Sequence, residues 1–365
     1  MLKRYGEYIS LSVEGGSHDE EISMTLSGFP RGFAVDIPAL HAFMRRRAPG
    51  NAAYATQRKE ADIPIFLSGM TEDFVTTGET IRAVIKNTNM RSEDYDAYRD
   101  IPRPSHADFA ARMKYGEGVD LRGGGHFSGR LTAPLCIAGG ICMQYLLSRG
   151  IRVFSHIYEV AGIADTPFDL ARVGKAEYEK LFSRDFPTLS MKAEETMRDA
   201  IEHARLDGDS VGGVIETAVT GLPAGLGEHM FRGMEAVISS AVFAVPAVKG
   251  VEFGDGFFGT RLRGSEHNDA FRTDGKRIFT ETNRAGGILG GMTSGMPIVL
   301  RAAVKATPSI AKPQKSVSLS RMENTVVEIG GRHDPCIVPR AVPAVSAAVA
   351  VAVTDILLEE TGQNE

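Results

Sequence analysis

Residues 282–309 read T-N-R-A-G-G-I-L-G-G-M-T-S-G-M-P-I-V-L-R-A-A-V-K-A-T-P-S, and their order decides which folds the chain can have. Five of the first fourteen positions are glycine, namely Gly286, Gly287, Gly290, Gly291 and Gly295. After Pro297 the residues Ile298, Val299, Leu300 and Val304 have the β-branched and aliphatic character of a strand. The glycines therefore precede a strand, whereas a dinucleotide fingerprint needs G-x-G-x-x-G between a strand and a helix. No G-x-x-x-x-G-K-[ST] phosphate loop occurs either. Glycine lets a backbone come close to a ligand. With Lys305, Thr307 and Ser309 the stretch offers N–H groups, hydroxyls and one ammonium to a phosphate or a flat ring with polar edges. The alternative is a glycine-rich turn before an edge strand.

Working outward, the patterning predicts strands over residues 8–13, 21–27, 66–69, 81–87, 210–220 and 297–304. Helical spacing appears over 38–47, 175–182, 191–206 and 230–243. Two further helices, 133–147 and 343–358, are rich in alanine and apolar all round, which predicts that they are buried and pack together at the centre. Pro343, Ser346, Thr354 and Asp355 argue for a core helix over a membrane span in the second. Residues 264–269 read as a mobile polar loop.

The 365 residues are 43% hydrophobic and 24% charged, with a net charge of -5, which fits a soluble globular chain and weighs against a general nucleic-acid binder. Arginines nevertheless crowd the glycine-bearing segments, at 45, 46, 47, 58, 103, 122, 130, 332 and 340. A basic pocket in an acidic protein suits a small polyanion. Cys136, Cys142 and Cys336 show no C-x-x-C spacing and read as reduced core residues, which points to a reducing compartment, the cytoplasm. Residues 1–8 are too polar for a signal peptide, and no metal or membrane partner is expected.

His18, in Gly15-Gly16-Ser17-His18-Asp19 just past a strand, either faces a cleft or is a solvated turn residue. Arg45, Arg46 and Arg47 end a helix, where cations suit the dipole, but three in a row exceed that need and suggest a phosphate or carboxylate partner. In residues 101–108, Pro102 and Pro104 restrict the chain and fix where His106 points, with Asp108 near enough to affect its charge. His106 is then a candidate acid or base, or part of a turn that starts the next helix through Ser105. Gly123, Gly124 and Gly125, flanked by Arg122 and Arg130, precede the first buried helix and suggest an anion site. A Gly-Gly-x-His-Asp pattern at 15–19 returns at 330–334, leaving a duplicated fold as a hypothesis.

These segments, in this order, resemble the chorismate synthase family over essentially the whole chain. The turn at His18 is similar to the family's G-E-S-H-G, residues 103–108 to R-P-G-H-A-D, and 122–132 to R-G-G-G-R-S-S-A-R-E-T. Residues 209–213, 221–227, 247–252, the glycine stretch and 332–336 agree as well. The chain departs from the pattern at Gly16, Asp19, Ala48, Ala53, Ser105, His126 and Phe127, the last two standing where arginine and serine are usual. The resemblance implies an α+β fold, a β-α-β sandwich of antiparallel sheets around central buried helices, as a single domain over 1–365.

It also implies a lyase that eliminates phosphate from 5-enolpyruvylshikimate 3-phosphate to give chorismate, the last step of the shikimate pathway. Reduced FMN is needed without net redox change, and the assembly is a homotetramer; since no second domain with a nicotinamide fingerprint is present in the sequence, an external flavin reductant is expected. By this resemblance Arg46, Arg47, Arg58, Arg103, Arg130, Arg332 and Arg340 grip the substrate. His18 protonates the departing phosphate, His106 sets the protonation of the flavin, and Asp334 with Ser128 relays the proton from flavin N5. Flavin contacts fall to His126, Phe127, Ser128, Pro246, Ala247, Gly290, Lys305, Ala306, Thr307, Pro308, Ser309 and Arg332. Two other readings compete: a flavin-dependent enzyme of the same fold acting on another phosphorylated carboxylate, and a non-catalytic flavin or polyanion binding protein. An RNA-binding role is disfavoured by the acidic balance and the lack of aromatic-rich strands.

Overall fold

The computed structural model describes residues 4–48, 61–87, 100–182, 184–330 and 333–362, so Ala53, Arg58 and Arg332 lie outside the described residues. Its first sheet holds β1 (Arg4–Tyr5), β2 (Ser10–Glu14), β3 (Glu21–Ser27), β4 (Ile65–Ser68) and β5 (Ile81–Lys86), antiparallel throughout in the order β1-β2-β3-β5-β4. Ile22, Met24 and Leu26 alternate along β3 and are fully buried, the period of a strand with one face on a core. Helix α1 (Ile37–Arg47) starts where Asp36 accepts the Ala39 N–H at 2.9 Å, with a proline in its first turn. Then come α2 (Asp108–Tyr115) and α3 (Thr132–Ser148).

The second half contributes β6 (Arg152–Val160), β7 (Ile163–Ala164), α4 (Lys175–Phe182), α5 (Met191–Leu206), β8 (Gly213–Thr220), α6 (Met234–Phe243) and β9 (Val248–Phe253). Short helices α7 (Gly256–Gly259) and α8 (Gly264–His267) lead to hairpins β10 (Phe271–Thr273) with β11 (Ile278–Thr280), and β12 (Ile288–Leu289) with β13 (Met292–Thr293). Strand β14 (Ile298–Val304) completes an antiparallel sheet ordered β7-β6-β8-β14-β9. A last hairpin, β15 (Gln314–Ser318) with β16 (Glu323–Val327), precedes α9 (Val338–Gly362).

Helices α3 and α9 cross each other between the sheets, α3 facing β3 and β5 and α9 facing β6 and β8. This is the expected α+β sandwich around central helices. Residues Gly129–Ser148, which include α3, and Val338–Gly362 are long and apolar enough to cross a membrane, yet the most apolar window of α9 is entirely buried within the fold. Its polar residues are satisfied there: Ser346 donates to Val342 O at 3.0 Å and Thr354 to Ala350 O at 2.7 Å. The crossing is close because Gly139 lacks a side chain; a Cβ there would lie 2.2 Å from Ala347 Cβ and 2.3 Å from its Cα. Gly139→Ala gains about 1 kcal/mol of helix propensity. Overpacking costs about 1–3 kcal/mol or more, and the obstacle is backbone, so a lower Tm is expected. An unchanged melting curve would refute the close crossing.

The outer face of the second sheet carries a row of charges, His156–Glu216–Arg301–Glu252, one residue from each of four adjacent strands. Both ring nitrogens of fully buried His156 face carboxylates, Nδ1 to Asp165 at 3.1 Å and Nε2 to Glu216 at 2.9 Å, so the ring is held as imidazolium. Burial alone would lower its pKa, but the two carboxylates outweigh burial and raise it. A raised histidine pKa contributes stability that is complete below the ordinary histidine range and is lost as pH rises through the raised value. Wild-type Tm should therefore fall over that alkaline window, and a His156→Gln variant should lack this component of the fall.

Several expectations need correction. The helix expected over 230–243 is broken into a turn and α6, because Gly233 is extended, with φ -63° and ψ 147°, and Met230 ahead of it has a left-handed φ of 60°. Residues 264–269 are folded, not a mobile loop: α8 occupies most of them, and Asp269 accepts the N–H groups of Arg284 and Ala285 at 2.8 and 3.0 Å. Gly286, Gly287 and Gly291 are turn formers packed on backbone. A Cβ on Gly286 would lie 2.4 Å from Gly254 N, and one on Gly287 would lie 2.3 Å from Pro297 O.

Candidate active site

Strand β2 ends in a turn at Gly15, and β3 begins after His18, so the His18 turn sits at one end of the first sheet. The three glycines before α3 form a second turn against it, with φ of 57° at Gly123, 92° at Gly124 and 52° at Gly125. The two turns are tied by Ser17 N–H to Gly125 O at 3.2 Å and by the His126 Nδ1 contact to Gly15 O at 2.8 Å. A Cβ on Gly123 would lie 2.4 Å from His18 Cε1. One on Gly124 would lie 3.3 Å from His106 Nε2 and 3.5 Å from Ser128 Cβ. Only glycine leaves this room, and the backbone conformation there also favours it. His18, His106 and Ser128 are thereby gathered around one turn.

His106 stands on a loop pinned to the end of the glycine-stretch strand. Lys305 Nζ donates to Ser105 O at 2.5 Å, and Ser316 Oγ donates to Pro102 O at 2.5 Å. Asp108 accepts from Arg103 N at 3.0 Å, Nε at 2.7 Å and Nη2 at 2.8 Å, and lies 2.6 Å from His106 Nδ1. Burial pushes the Asp108 carboxyl up, but the Arg103 and His106 contacts outweigh it and hold it well below the carboxylate range. Lys305 N donates to Ala247 O at 3.0 Å, which brings Pro246 and Ala247 alongside residues 305–309. Burial, and then Lys249, lower the Lys305 pKa.

A second cluster is built on buried charge. Arg47 donates to Asp62 at 2.6 Å, to Thr132 Oγ1 at 2.9 Å and to Gly129 O at 3.0 Å. Arg130 pairs with the other Asp62 oxygen and donates to Asn87 Oδ1 at 2.9 Å. Asn87 in turn donates to Asp19 O at 2.7 Å, beside His18. Arg340 donates to Arg47 O at 3.1 Å and to Asp334 at 2.6 Å. Burial raises the Asp62 pKa, yet Arg47 and Arg130 override it and hold the carboxyl low.

The expected arginines thus divide. Arg47, Arg130 and Arg340 share one network, and Arg103 belongs with His106. Arg46 has other neighbours: burial lowers its pKa, and the titratable groups beside it are Asp185, Cys136 and Tyr178. Consecutive helical residues point about 100° apart, so Arg46 and Arg47 leave the helix in different directions. Phe127 stacks near Tyr115 with ring centroids 6.4 Å apart. Gly290 lies at the exposed tip of the β12–β13 hairpin, whose Gly291 packs on Glu228 and Gly233. Asp62 and Asn87 escaped the sequence reading, although buried arginines demand a buried counter-charge and so signal that one exists.

Antiparallel sheets around buried helices, with two histidines on a glycine turn beside partnered arginines, define an enzyme built for a small polyanion. Residues 9–358 match the chorismate synthase family model. Chorismate synthases of Lancefieldella parvula and Thermococcus kodakarensis are 42% and 43% identical to this chain, covering 98% and 97% of it and 96% and 97% of the relatives. A chorismate synthase crystal structure superposes with a TM-score of 0.77 at 27% identity, covering 98% of this chain and 94% of that one. The chain belongs to the chorismate synthase family. It is a carbon–oxygen lyase of the shikimate pathway, converting 5-enolpyruvylshikimate 3-phosphate to chorismate and phosphate.

Proposed function

We propose that the substrate lies over the Gly123–Gly124 turn between His18 and His106, and that reduced FMN binds beside it along residues 305–309. The observation that carries this reading is the glycine turn itself, which brings both histidines and Ser128 to one surface. Two features fit a flavin. Thr307 Oγ1 is buried without a hydrogen-bond partner among the described residues, and Lys305 is a partly desolvated cation beside it. Lys305 to Ser309, Ala247, Pro246, His126, Phe127 and Ser128 would hold the group. Gly290, at its exposed hairpin tip, is a further contact in this reading.

Reduced flavin supplies electron density to a carbon whose hydrogen is not acidic, the chemistry no side chain here can offer. The chain's own residues bind, orient and move protons. His18 gives a proton to the departing phosphate oxygen. Asp334, steered by Arg340, and Ser128 take up the proton released from the ring side. Arg47 and Arg130, already fixed by Asp62, present a rigid positive wall that needs no reorganisation when the anion arrives. Arg58 and Arg332 add to the substrate's charge partners.

The chain acts as a single domain with an external flavin reductant, in the cytoplasm. The assembly in this reading is a homotetramer, in which a partner surface would cover exposed apolar side chains such as Phe231, Phe257 and Ile278. The deciding experiment is anaerobic phosphate release from 5-enolpyruvylshikimate 3-phosphate with and without reduced FMN. Release only with reduced FMN is expected. Release without it overturns the cofactor reading, and none in either case overturns the substrate reading.

A further inference from the structure

We infer that Asp108 is a positioning residue of this site: its carboxylate holds the His106 ring with its proton on Nδ1 and turns Nε2 toward the Gly124 turn. The inference rests on the reading of His106 as a site residue. Three facing atoms decide it. Asp108 Oδ1 is 2.6 Å from His106 Nδ1, Arg103 Nη2 is 2.8 Å from the same oxygen, and Arg103 Nη2 is 3.1 Å from Nδ1. A guanidinium only donates and an ionised carboxylate only accepts. The arrangement is satisfied only if Nδ1 carries hydrogen and donates to Oδ1, with Nη2 donating to the same oxygen. The short Arg103–His106 approach then follows from the shared acceptor.

Nε2 is left pointing at the cradle, where a Cβ on Gly124 would meet it at 3.3 Å. The carboxylate is itself immobile. Asp108 is 4% exposed, and the main-chain N–H, Nε and Nη2 of Arg103 all donate to it. Ser105 precedes His106 in a left-handed conformation, φ 57°, with its carbonyl capped by Lys305. Arg103 is therefore spent on orienting the acid that orients the histidine, which differs from gripping substrate directly. A carboxylate–imidazole pair of this kind fixes which ring nitrogen can exchange a proton.

The test uses the full chain, ligand-free, with 15N-labelled histidine, His106 being assigned by its loss in His106→Gln. Neutral His106 in the wild type should show hydrogen on Nδ1, and Asp108→Asn should move it toward Nε2. Hydrogen on Nε2 in the wild type, or a spectrum unchanged in Asp108→Asn, overturns the inference. In turnover, Asp108→Asn should lower kcat about 10–100-fold with KM changed by less than about 2-fold. Adding it to His106→Ala should cost nothing further, because the two act as one unit. Additive losses would show that Asp108 merely supports the start of α2. Should Asp108→Asn not fold, the wild-type spectrum still decides. Failure of the wild type to release phosphate would sink the functional reading alone, since the ring tautomer is read without substrate.

Discussion

His18→Ala should lower kcat for phosphate elimination by about 10²–10⁴-fold, the range a positioned general acid contributes. The expectation follows from placement. The ring lies against Gly123, where a Cβ would come within 2.5 Å of Nδ1, and the adjacent Ser17 and Asp19 are tied to Gly125 and Asn87. Leaving phosphate needs a proton as the C–O bond breaks, and His18 is the titratable group on the glycine turn opposite His106. The fold should be unaffected, because the turn is held by main-chain and Asn87 contacts that do not involve the imidazole. Anaerobic steady-state kinetics with reduced FMN, beside a melting curve, checks both halves. A variant with near wild-type kcat would remove His18 from the chemistry, and one that melts early would show that the ring is structural.

Asp355→Ala should cost about 3–5 kcal/mol, the usual result of deleting one member of a buried charged contact. Asp355 is fully buried in α9, and its oxygens accept the N–H groups of Glu7 at 3.1 Å, Tyr8 at 2.8 Å and Ile9 at 2.9 Å. Arg232 approaches at 3.3 Å and also pairs with Glu359. One carboxylate thus fastens the entry of β2, the turn ahead of the His18 strand, and the approach to α6 onto the central helix. Removing it leaves three main-chain donors without their acceptor inside the protein, while Arg232 keeps only Glu359. Asp355→Asn should lose less, since one oxygen still accepts. Urea unfolding measures the difference, and a loss below about 1 kcal/mol for the alanine variant would mean that β2 is anchored by its apolar contacts alone.

Most of the secondary structure was legible because its causes are local. The period of Ile22, Met24 and Leu26 marks β3, and the helical spacing over 191–206 coincides with α5. The all-round apolar character of 133–147 and 343–358 foretold two central helices, found as α3 and α9. Break points were harder. Gly233 and the left-handed Met230 interrupt an apolar run that has no other stop signal, and the capped turn at 264–267 looks polar enough for a loop.

The site was legible in part. His18, His106, Ser128 and Asp334 were singled out from motifs, but that the first three gather around Gly123 and Gly124, with Asp334 beside Arg340, is a matter of which turns meet. Arg46 and Arg47 are neighbours in sequence and looked equivalent, yet only Arg47 reaches Asp62. Asp62 and Asn87 carry no motif, because a counter-charge is recruited by proximity in space and many positions along a chain could supply it.

The chain alone determined its family, its strand and helix periods, and the burial of its two apolar helices, all properties of residue type and short-range spacing. Only the folded arrangement decided that Gly286 packs on the backbone of Gly254 and Gly291 on that of Glu228, that the His106 loop meets the glycine turn before α3, and that Asp62 binds two arginines at once. Those outcomes depend on contacts between segments far apart in the chain. Donors and acceptors that must share one carboxylate are chosen when the sheets and helices close, and nothing in a linear string specifies the partner.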